Sequence, residues 1–281
     1  MANKKKTPVK TTTEEIAGSP ADKSSANDKT AKKIFRSLSV KAGLVIAILI
    51  FSIIALVTTI IVVVHVSNLR ASSAEYESLR EIAGDIEFGS GDYEIVHLSA
   101  FDEEMRQINS DYICWIRVEG TSIDYPVVRG TDNEKYLKTS FSGDYNIAGT
   151  VFMDYRNIGN LFSNSISESL PHIILYGHNL QQGGMFTELR RFLGEQFLKE
   201  NNIITLRVND REIKYEIFTA RLTDVDDPAY YLDFSTTRHF SRFADKINAP
   251  LAATQILTLS TCVRSGSDDA RIIVQGYRIF D

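Results

Sequence analysis

The stretch Thr258-Leu259-Ser260-Thr261-Cys262 is followed by a loop at residues 263–270 and then by Arg271-Ile272-Ile273-Val274. Both flanking runs are rich in Leu, Ile, Val and Thr, which predicts two strands joined by a loop. A thiol at a strand end beside a loop is exposed enough to react, and a guanidinium on the neighbouring strand can reach it. On these residues alone, Cys262 is either a nucleophile near a fixed cation or a small buried hydrophobic residue.

Charge is unevenly spread along the chain. The 281 residues are 43% hydrophobic and 24% charged, with a formal net charge of −5, and their number allows one large or two modest domains. Lysines and arginines cluster in residues 4–41 among small polar residues. Such a segment buries too little apolar surface to offset the entropy of ordering. We therefore predict that residues 1–41 form a disordered basic tail, and we expect no nucleic-acid partner for it.

Residues 42–66 are apolar enough to cross a membrane. They contain no charged residue, and only Ser, Thr and His interrupt the apolar run. A helix needs about 20 apolar residues to span a bilayer, whereas the apolar core of a cleaved signal peptide has about 7–15. The sequence therefore predicts one transmembrane helix. The positive-inside rule then places the basic tail in the cytoplasm and the rest of the chain outside the cell membrane.

The external part begins with helical patterns. Residues 67–97 carry apolar residues at helical spacing near their start and are predicted to form a juxtamembrane helix or linker. A second helix is predicted from Ser99, as its N-cap, to Ile108, because acidic residues follow Ser99 in the first turns.

Strand patterns dominate after this helix. Eight short runs rich in Ile, Val, Thr, Tyr and Phe predict strands at residues 112–118, 122–128, 149–154, 173–176, 203–208, 212–224, 255–259 and 271–280. Helices are predicted at residues 185–198, with a break at Gly194, and at residues 237–247. Asn209-Asp210-Arg211 predicts a tight hairpin. The predicted fold class is mainly β, a barrel or sandwich with N-terminal helices and helical insertions.

Two cysteines and five histidines are candidates for nucleophile and base. Cys114 lies inside an apolar run, which favours a core position over a disulfide with Cys262. His178 lies where the apolar run 173–176 ends and a glycine-containing loop begins. A histidine at such a junction is well placed to act as acid or base. Taken singly, a polar loop histidine more often has a structural or solvated role.

Cys262, His178 and Arg271 together could supply a nucleophile, a base and a charge that stabilises an oxyanion. The competing use of His and Cys is a zinc site, but the sequence has no Cys-x-x-Cys and no paired histidine motif. Gly183-Gly184 lacks the Lys and Ser or Thr of a phosphate-binding loop. We expect no metal and no cofactor.

The Thr258–Cys262 run, the histidine in Leu175-Tyr176-Gly177-His178-Asn179 and the strand-opening Arg271 resemble the sortases, the membrane-anchored cysteine transpeptidases of Gram-positive bacteria. Further stretches are similar to class B of that family, namely Trp115-Ile116, Gly120-Thr121-Ser122-Ile123-Asp124-Tyr125-Pro126-Val127-Val128, Asp132-Asn133, Tyr136-Leu137 and Met185-Phe186. The resemblance covers residues 98–281 and implies a closed β-barrel of about eight strands as an extracellular catalytic domain.

The resemblance also implies the roles of the three residues. Cys262 would attack the carbonyl between a threonine and the next residue in the C-terminal sorting signal of a secreted protein. The product of this attack would be a thioester. His178 would act as general acid and base, and Arg271 would hold the substrate and stabilise the oxyanion. Arg264 is the rival for that last role, because it lies nearer to Cys262 in the sequence. The acceptor would be an amine of peptidoglycan or of its lipid-linked precursor, which anchors surface proteins to the cell wall.

Several alternatives stay open at this point. They are a pilin-polymerising sortase, a hydrolytic cysteine peptidase and a non-catalytic surface scaffold. No second spanning segment follows the last strand, so we expect anchoring rather than polymerisation. Recognition of the sorting motif is expected to depend on residues 140–145 and 224–233, with loop 263–270 as one wall of the groove. Asp268 and Asp269 either orient Arg271 or His178 or, as we favour, belong to a solvated loop.

Overall fold

A computed structural model of the chain describes residues 21–84, 92–159, 170–209, 211–263 and 269–280. The chain divides into two compact units, Met1–Val64 and His65–Asp281. A single long helix, α1, covers Ala21–Gly84 and contributes to both.

The first unit is helical over its described residues. Within α1, Val40–Ala83 contains a stretch that is long and apolar enough to cross a membrane, by length and composition. The hydroxyl groups in this stretch donate to carbonyls one turn earlier, Ser52 to Ile48 at 2.9 Å and Thr59 to Ala55 at 2.8 Å. These polar groups therefore need no partner from the surroundings of the helix.

Within the segment predicted to be a disordered tail, α1 begins at Ala21. Extending an existing helix is easier than starting one, and the Ala, Lys and Arg residues ahead of the apolar run are good helix formers. Residues 1–20 lie outside the described part of the chain. The domain boundaries placed at residues 41, 66 and 97 stay predictions.

The second unit combines helices with a sheet. Its helices, besides the end of α1, are α2 (Asp92–Ile108), α3 (Glu195–Glu200) and α4 (Thr237–Lys246). Its strands are β1 (Tyr112–Val118), β2 (Asp124–Val128), β3 (Val151–Met153), β4 (His172–Tyr176), β5 (Ile203–Val208), β6 (Arg211–Thr223), β7 (Ile256–Cys262) and β8 (Arg271–Arg278). Short 3-10 turns cover Lys135–Leu137, Thr187–Leu193 and Pro228–Tyr230.

The eight strands close into a barrel in the order β1-β2-β3-β4-β7-β8-β6-β5, with β5 pairing back to β1. The pairs β2–β3 and β4–β7 are parallel, and the other neighbours are antiparallel. The prediction of a mainly β fold with about eight strands is confirmed, and closure decides for a barrel over a sandwich. Strands that pair with two neighbours have no free edge, which makes the barrel a rigid support for the loops.

The strands β4 and β7 are buried over most of their length. Every residue of β7 before Cys262 is buried. One face contributes to the main apolar core, and α4 covers the other with Phe240 and Phe243 beside Ile256. A strand covered on both faces has little freedom to move, so the residues at its end are held in place.

The segment after the apolar stretch is more than a linker. Tyr76, Leu79 and Ala83 of α1 are 1–5% exposed and belong to the barrel core. The Tyr76 hydroxyl donates to the carbonyl of Gly149 at 2.7 Å. The predicted juxtamembrane helix is therefore packed against the barrel.

Three local predictions have different outcomes. The helix predicted from Ser99 begins at Asp92, so Ser99 lies within α2 and the N-cap assignment is wrong. Residues 92–98 contain neither Gly nor Pro, so nothing in them ends the helix early. The break at Gly194 is confirmed, because a 3-10 turn ends and α3 begins there. At the predicted hairpin, Val208 pairs with Arg211 and Asn209 has a positive φ of 53°, while Asp210 lies outside the described residues.

Candidate active site

The predicted site residues lie at the ends of neighbouring strands. Cys262 ends β7, Arg271 begins β8, and the two residues are partners in the antiparallel ladder. His178 follows β4 by two residues, and β4 runs parallel to β7 with Tyr176 opposite Ser260. The side chains of Cys262, His178 and Arg271 line one cavity of about 660 Å³. The structure therefore brings together the three residues that the sequence singled out.

Hydrogen bonds beyond the ladder fix the backbone around His178. The Gly177 N–H donates to the Ser260 carbonyl at 3.2 Å, and the Thr261 hydroxyl donates to the Gly177 carbonyl at 2.7 Å. The Asn179 side-chain amide donates to the carbonyl of Cys262 at 2.9 Å. These contacts join the two chain segments on which His178 and Cys262 lie. Both residues are therefore positioned by the same pair of strand ends.

Gly177 is required for close packing at this junction. A Cβ atom at this position would lie 2.7 Å from the aromatic ring of Phe186. The Phe186 N–H in turn donates to the carbonyl of His178 at 3.0 Å. The glycine thus lets the loop after His178 fold back against the strand end.

The two cysteines lie in opposite surroundings. Both are free thiols, with Cys114 buried and Cys262 exposed. Burial raises the pKa of Cys114 well above its usual value, and the nearby Asp102 carboxylate adds to this effect. The thiolate is the reactive form of cysteine, so Cys114 is inert. The expectation of a core position for Cys114 is confirmed, and the alternative of a buried, packing role for Cys262 is wrong.

The imidazole of His178 is oriented by a carbonyl group. Its Nε2 lies 2.7 Å from the carbonyl oxygen of Leu137. A carbonyl can only accept a hydrogen bond, so Nε2 carries a proton in the neutral ring and Nδ1 is the basic nitrogen. This contact also fixes the plane of the ring. The signal was not visible in the sequence, since Leu137 lies 41 residues away.

Arg271 places a positive charge at the edge of the cavity. The side chain is half-buried, and its Nη1 donates to the Ala270 carbonyl at 3.0 Å. Burial raises the pKa of Tyr230 above its usual value, although the bond to Ser260 and the positive charge of Arg271 oppose the shift. The rival Arg264 and the acidic Asp268 lie outside the described residues.

One wall of the cavity comes from the connection between β6 and α4. Asp227 accepts from Arg221 at 2.5 and 2.7 Å and from the hydroxyl of Thr223, and this fixes the start of the wall. The Tyr230 ring stacks on Tyr176 with centroids 6.5 Å apart. Residues 224–233 were predicted to take part in recognition of the sorting motif, and six of them line the cavity, which supports that role. These six are Val225, Asp226, Asp227, Pro228, Tyr230 and Tyr231.

The opposite side of the cavity differs from the prediction. Among the described lining residues, Asn133 and Leu137 occur but none from residues 140–145. That segment instead folds on itself, where the Gly143 N–H donates to the Ser140 carbonyl at 3.1 Å. Most of the wall predicted at residues 263–270 consists of residues 264–268, which lie outside the described part of the chain. Asp269, which follows them, is exposed.

An ion pair between the buried Asp154 and the partly exposed Arg156 lies beside the cavity and was not predicted. Asp154 is 0% exposed and receives two hydrogen bonds of 2.8 Å from Arg156 and one of 2.9 Å from the Tyr176 hydroxyl. Burial alone would raise the pKa of Asp154, but these donors outweigh it and lower the pKa below its usual value. Arg156 and Tyr176 both line the cavity. An Asp two residues before an Arg, directly after a buried strand, was the signal that could have revealed the pair.

Known proteins agree with this geometry. A family model described as "Sortase domain" matches residues 116–279. Sortase B of Staphylococcus aureus is 31% identical over 188 residues, which are 63% of this chain and 74% of that protein. The chain therefore belongs to the sortase family of cysteine transpeptidases.

Solved structures refine the assignment to class B. A mutant form of sortase B from Clostridium perfringens is similar with a TM-score of 0.63 and 28% identity, covering 74% of this chain and 98% of that one. A Staphylococcus aureus sortase B–substrate complex has a TM-score of 0.61 and 28% identity, covering 75% and 97% of the two chains. The resemblance to class B drawn from the sequence is confirmed.

Proposed function

We propose that this chain cleaves a C-terminal sorting signal after threonine and transfers the acyl part to an amine of peptidoglycan or of its lipid-linked precursor. One observation carries the proposal: the exposed Cys262, the carbonyl-oriented His178 and Arg271 line the same cavity. The nucleophile, the proton carrier and the cation of an acyl transfer are thus available at one place.

In the first half of the reaction, the Cys262 thiol gives its proton to Nδ1 of His178, and Sγ attacks the carbonyl carbon of the threonine. The carbonyl oxygen becomes an oxyanion, which the guanidinium of Arg271 stabilises. The C–N bond then breaks, and protonated His178 gives a proton from Nδ1 to the departing amine. The products are a thioester on Cys262 and a free C-terminal fragment of the signal.

In the second half, an incoming amine attacks the thioester carbonyl. Neutral His178 takes a proton from that amine at Nδ1, because Nε2 already carries the proton that it donates to Leu137. A second oxyanion forms beside Arg271 and collapses as the C–S bond breaks. The leaving thiolate of Cys262 takes the proton back from Nδ1 of His178, so the products are a new amide bond and a regenerated thiol.

The shape of the cavity supports an extended peptide as substrate. The lining combines the aromatic residues Phe152, Tyr176 and Tyr230 with residues at the ends of β4 and β7. Aromatic walls bind apolar parts of a peptide. One similar structure is a sortase B bound to its substrate. Secreted proteins with a sorting motif are therefore the proposed partners.

We also propose that the chain is a single-pass membrane protein with its barrel outside the cell. The apolar part of α1 supports an anchor by length and composition. The lysines and arginines of residues 4–41 support a cytoplasmic N-terminus. A membrane-impermeant maleimide is expected to label Cys262 in intact cells, with Cys262→Ala as the control. Labelling that requires cell lysis would contradict this orientation.

The test of the reaction uses the full chain in detergent and peptides that contain a threonine sorting motif. With an amine acceptor present, we expect the acceptor joined to the threonine, and mass spectrometry of the quenched enzyme should find the acyl group on Cys262. Product that stays a free acid at every acceptor concentration would instead favour a hydrolytic cysteine peptidase. Cleavage that survives in Cys262→Ala would reject the proposed mechanism.

A further inference from the structure

A chain of buried polar groups connects the barrel to the wall of the active-site cavity. It begins at Gln275 on β8, passes through Thr258 on β7 and His172 on β4, and ends at the backbone carbonyl of Tyr231. The three side chains are 0–1% exposed, whereas Tyr231 lines the cavity. A buried polar network of this kind fixes the geometry of the groups it joins.

The hydrogen-bond partners assign the proton positions in this network. His172 Nδ1 lies 2.8 Å from the Tyr231 carbonyl oxygen, which only accepts, so Nδ1 carries a proton. Gln275 donates its side-chain N–H to the Thr258 hydroxyl oxygen at 3.0 Å. That hydroxyl then donates its own proton to His172 Nε2 at 2.8 Å. The network therefore selects the neutral ring protonated at Nδ1.

Packing keeps this ring neutral and in place. The His172 ring packs against Phe243 of α4 with centroids 4.7 Å apart and against Phe234 at 6.2 Å. Burial lowers the pKa of His172 to about 4, although the bond to Tyr231 opposes the shift. The ring is thus an uncharged hydrogen-bond donor around neutral pH.

The wall segment, defined as Asp227–Tyr231, is anchored at three points. Its start is held by the ion pair of Asp227 with Arg221. Its middle is held by Tyr230, whose hydroxyl lies 2.8 Å from Ser260 Oγ. Its end is held by the bond from His172 to the Tyr231 carbonyl.

We propose that His172 is a positioning residue for the transpeptidase reaction, because its bond to Tyr231 holds the end of the wall against which the sorting peptide binds. The inference rests on the proposed function, since it takes the cavity as the peptide site. His172 acts through Tyr231. It does not act on the reacting atoms, because His178 and Cys262 lie at the opposite ends of β4 and β7. Its loss should therefore weaken peptide binding and leave the chemical step nearly intact.

Two substitutions separate the two hydrogen bonds of the ring. In His172→Asn the amide nitrogen lies near the place of Nδ1 and keeps a donor for the Tyr231 carbonyl. In His172→Gln the amide reaches the place of Nε2 and keeps an acceptor for Thr258, but the donor to Tyr231 is lost. Each variant keeps one polar position of the imidazole and loses the other.

Steady-state kinetics with the full chain in detergent provides the main test. His172→Gln should raise KM for the sorting peptide about tenfold, with kcat changed less than about twofold, because one hydrogen bond that positions the wall is lost. His172→Asn should keep KM within about twofold of the wild type. Tyr215→Phe, which removes the buried bond from Tyr215 to Gln255 at 2.8 Å, controls for lost stability and should leave KM unchanged.

A second measurement is independent of activity. Nitrogen-15 NMR of histidine-labelled protein should show one imidazole protonated at Nδ1 alone, and His172→Asn should remove that signal. An Nε2-protonated ring at this position would overturn the inference.

The kinetic outcomes distinguish the two proposals. Equal KM values for the Asn and Gln variants, or a KM increase of the same size in Tyr215→Phe, would overturn the role of His172 and leave the transpeptidase proposal standing. Cleavage that persists in Cys262→Ala would instead reject the proposed function and this inference with it.

Discussion

The two ends of strand β4 carry histidines with opposite properties. His172 at the start of the strand is 1% exposed and satisfied on both ring nitrogens. His178, beyond the end of the strand, is half-buried, and its described contact engages only Nε2. The same contrast separates the buried Cys114 from the exposed Cys262. The residue type alone therefore does not determine reactivity. A cysteine or histidine is placed to react when it lies at a strand end that opens into the cavity.

The largest expected effect tests the contrast between the cysteines. Cys262→Ala should lower transpeptidation by about 10⁴-fold or more, since it removes the nucleophile. Because Cys262 is exposed, the free energy of unfolding should change little. Denaturant titration and peptide kinetics on the same sample measure both quantities.

Cys114→Ser is the matched control for that variant. It introduces a hydroxyl into the apolar core and should lower the free energy of unfolding by about 1–3 kcal/mol, with the activity of the folded fraction retained. An inactive but stable Cys114→Ser protein would contradict the contrast.

The second effect concerns the half-buried His178. His178→Gln should lower kcat by about 10³-fold, because a proton carrier typically contributes between a hundredfold and ten-thousandfold. Thermal unfolding should be close to that of the wild type. If His178→Gln lost stability as much as a buried histidine variant does, the distinction between the two ends of β4 would fail.

The third effect tests the cation opposite Cys262. Arg271→Lys keeps the charge but replaces the planar, forked donor, so we expect a loss of about a hundredfold in kcat/KM. The comparison with Arg271→Ala shows how much charge alone contributes. Wild-type kinetics in the lysine variant would rule out a directional bond to the oxyanion.

The smallest effect is the pH dependence caused by the buried histidine. The pKa of His172 falls from 6.5 to about 4 in the folded chain, so the unfolded chain takes up the proton first as the pH decreases. Its stabilising contribution is full above the unfolded pKa and is lost as the pH falls toward the folded pKa. The expected loss is about 2 kcal/mol between about pH 7 and about pH 5.

His172→Asn should remove this acid sensitivity, which urea titrations at several pH values would measure. The charged groups that act on His172 are Asp154 and Arg156. The pKa of Asp154 is lowered below 3.8, so its contribution to the free energy of unfolding is lost only at lower pH. The pH ranges in which His172 and Asp154 lose their stabilising contributions therefore do not overlap. An unchanged pH profile in His172→Asn would show that His172 is not the group that titrates.

Local patterns in the sequence determined much of the site. The Thr258–Cys262 run, the strand end before His178 and the strand start at Arg271 are each readable within about ten residues, because strand propensity and loop composition are local properties. Cys114 was assigned to the core for the same reason. The eight strands, too, follow from period-two patterns, although their ends shift by a few residues.

Tertiary structure alone decided which of these ends meet. The closure of β5 onto β1, the parallel pairing of β4 with β7 and the contact of His178 with Leu137 join residues far apart in the sequence. The same is true of the network that starts at Gln275. Such contacts depend on the whole packing arrangement, and no local propensity encodes them. The sequence by itself therefore determined which residues could react, and the closed barrel decided that they share one cavity with a fixed wall.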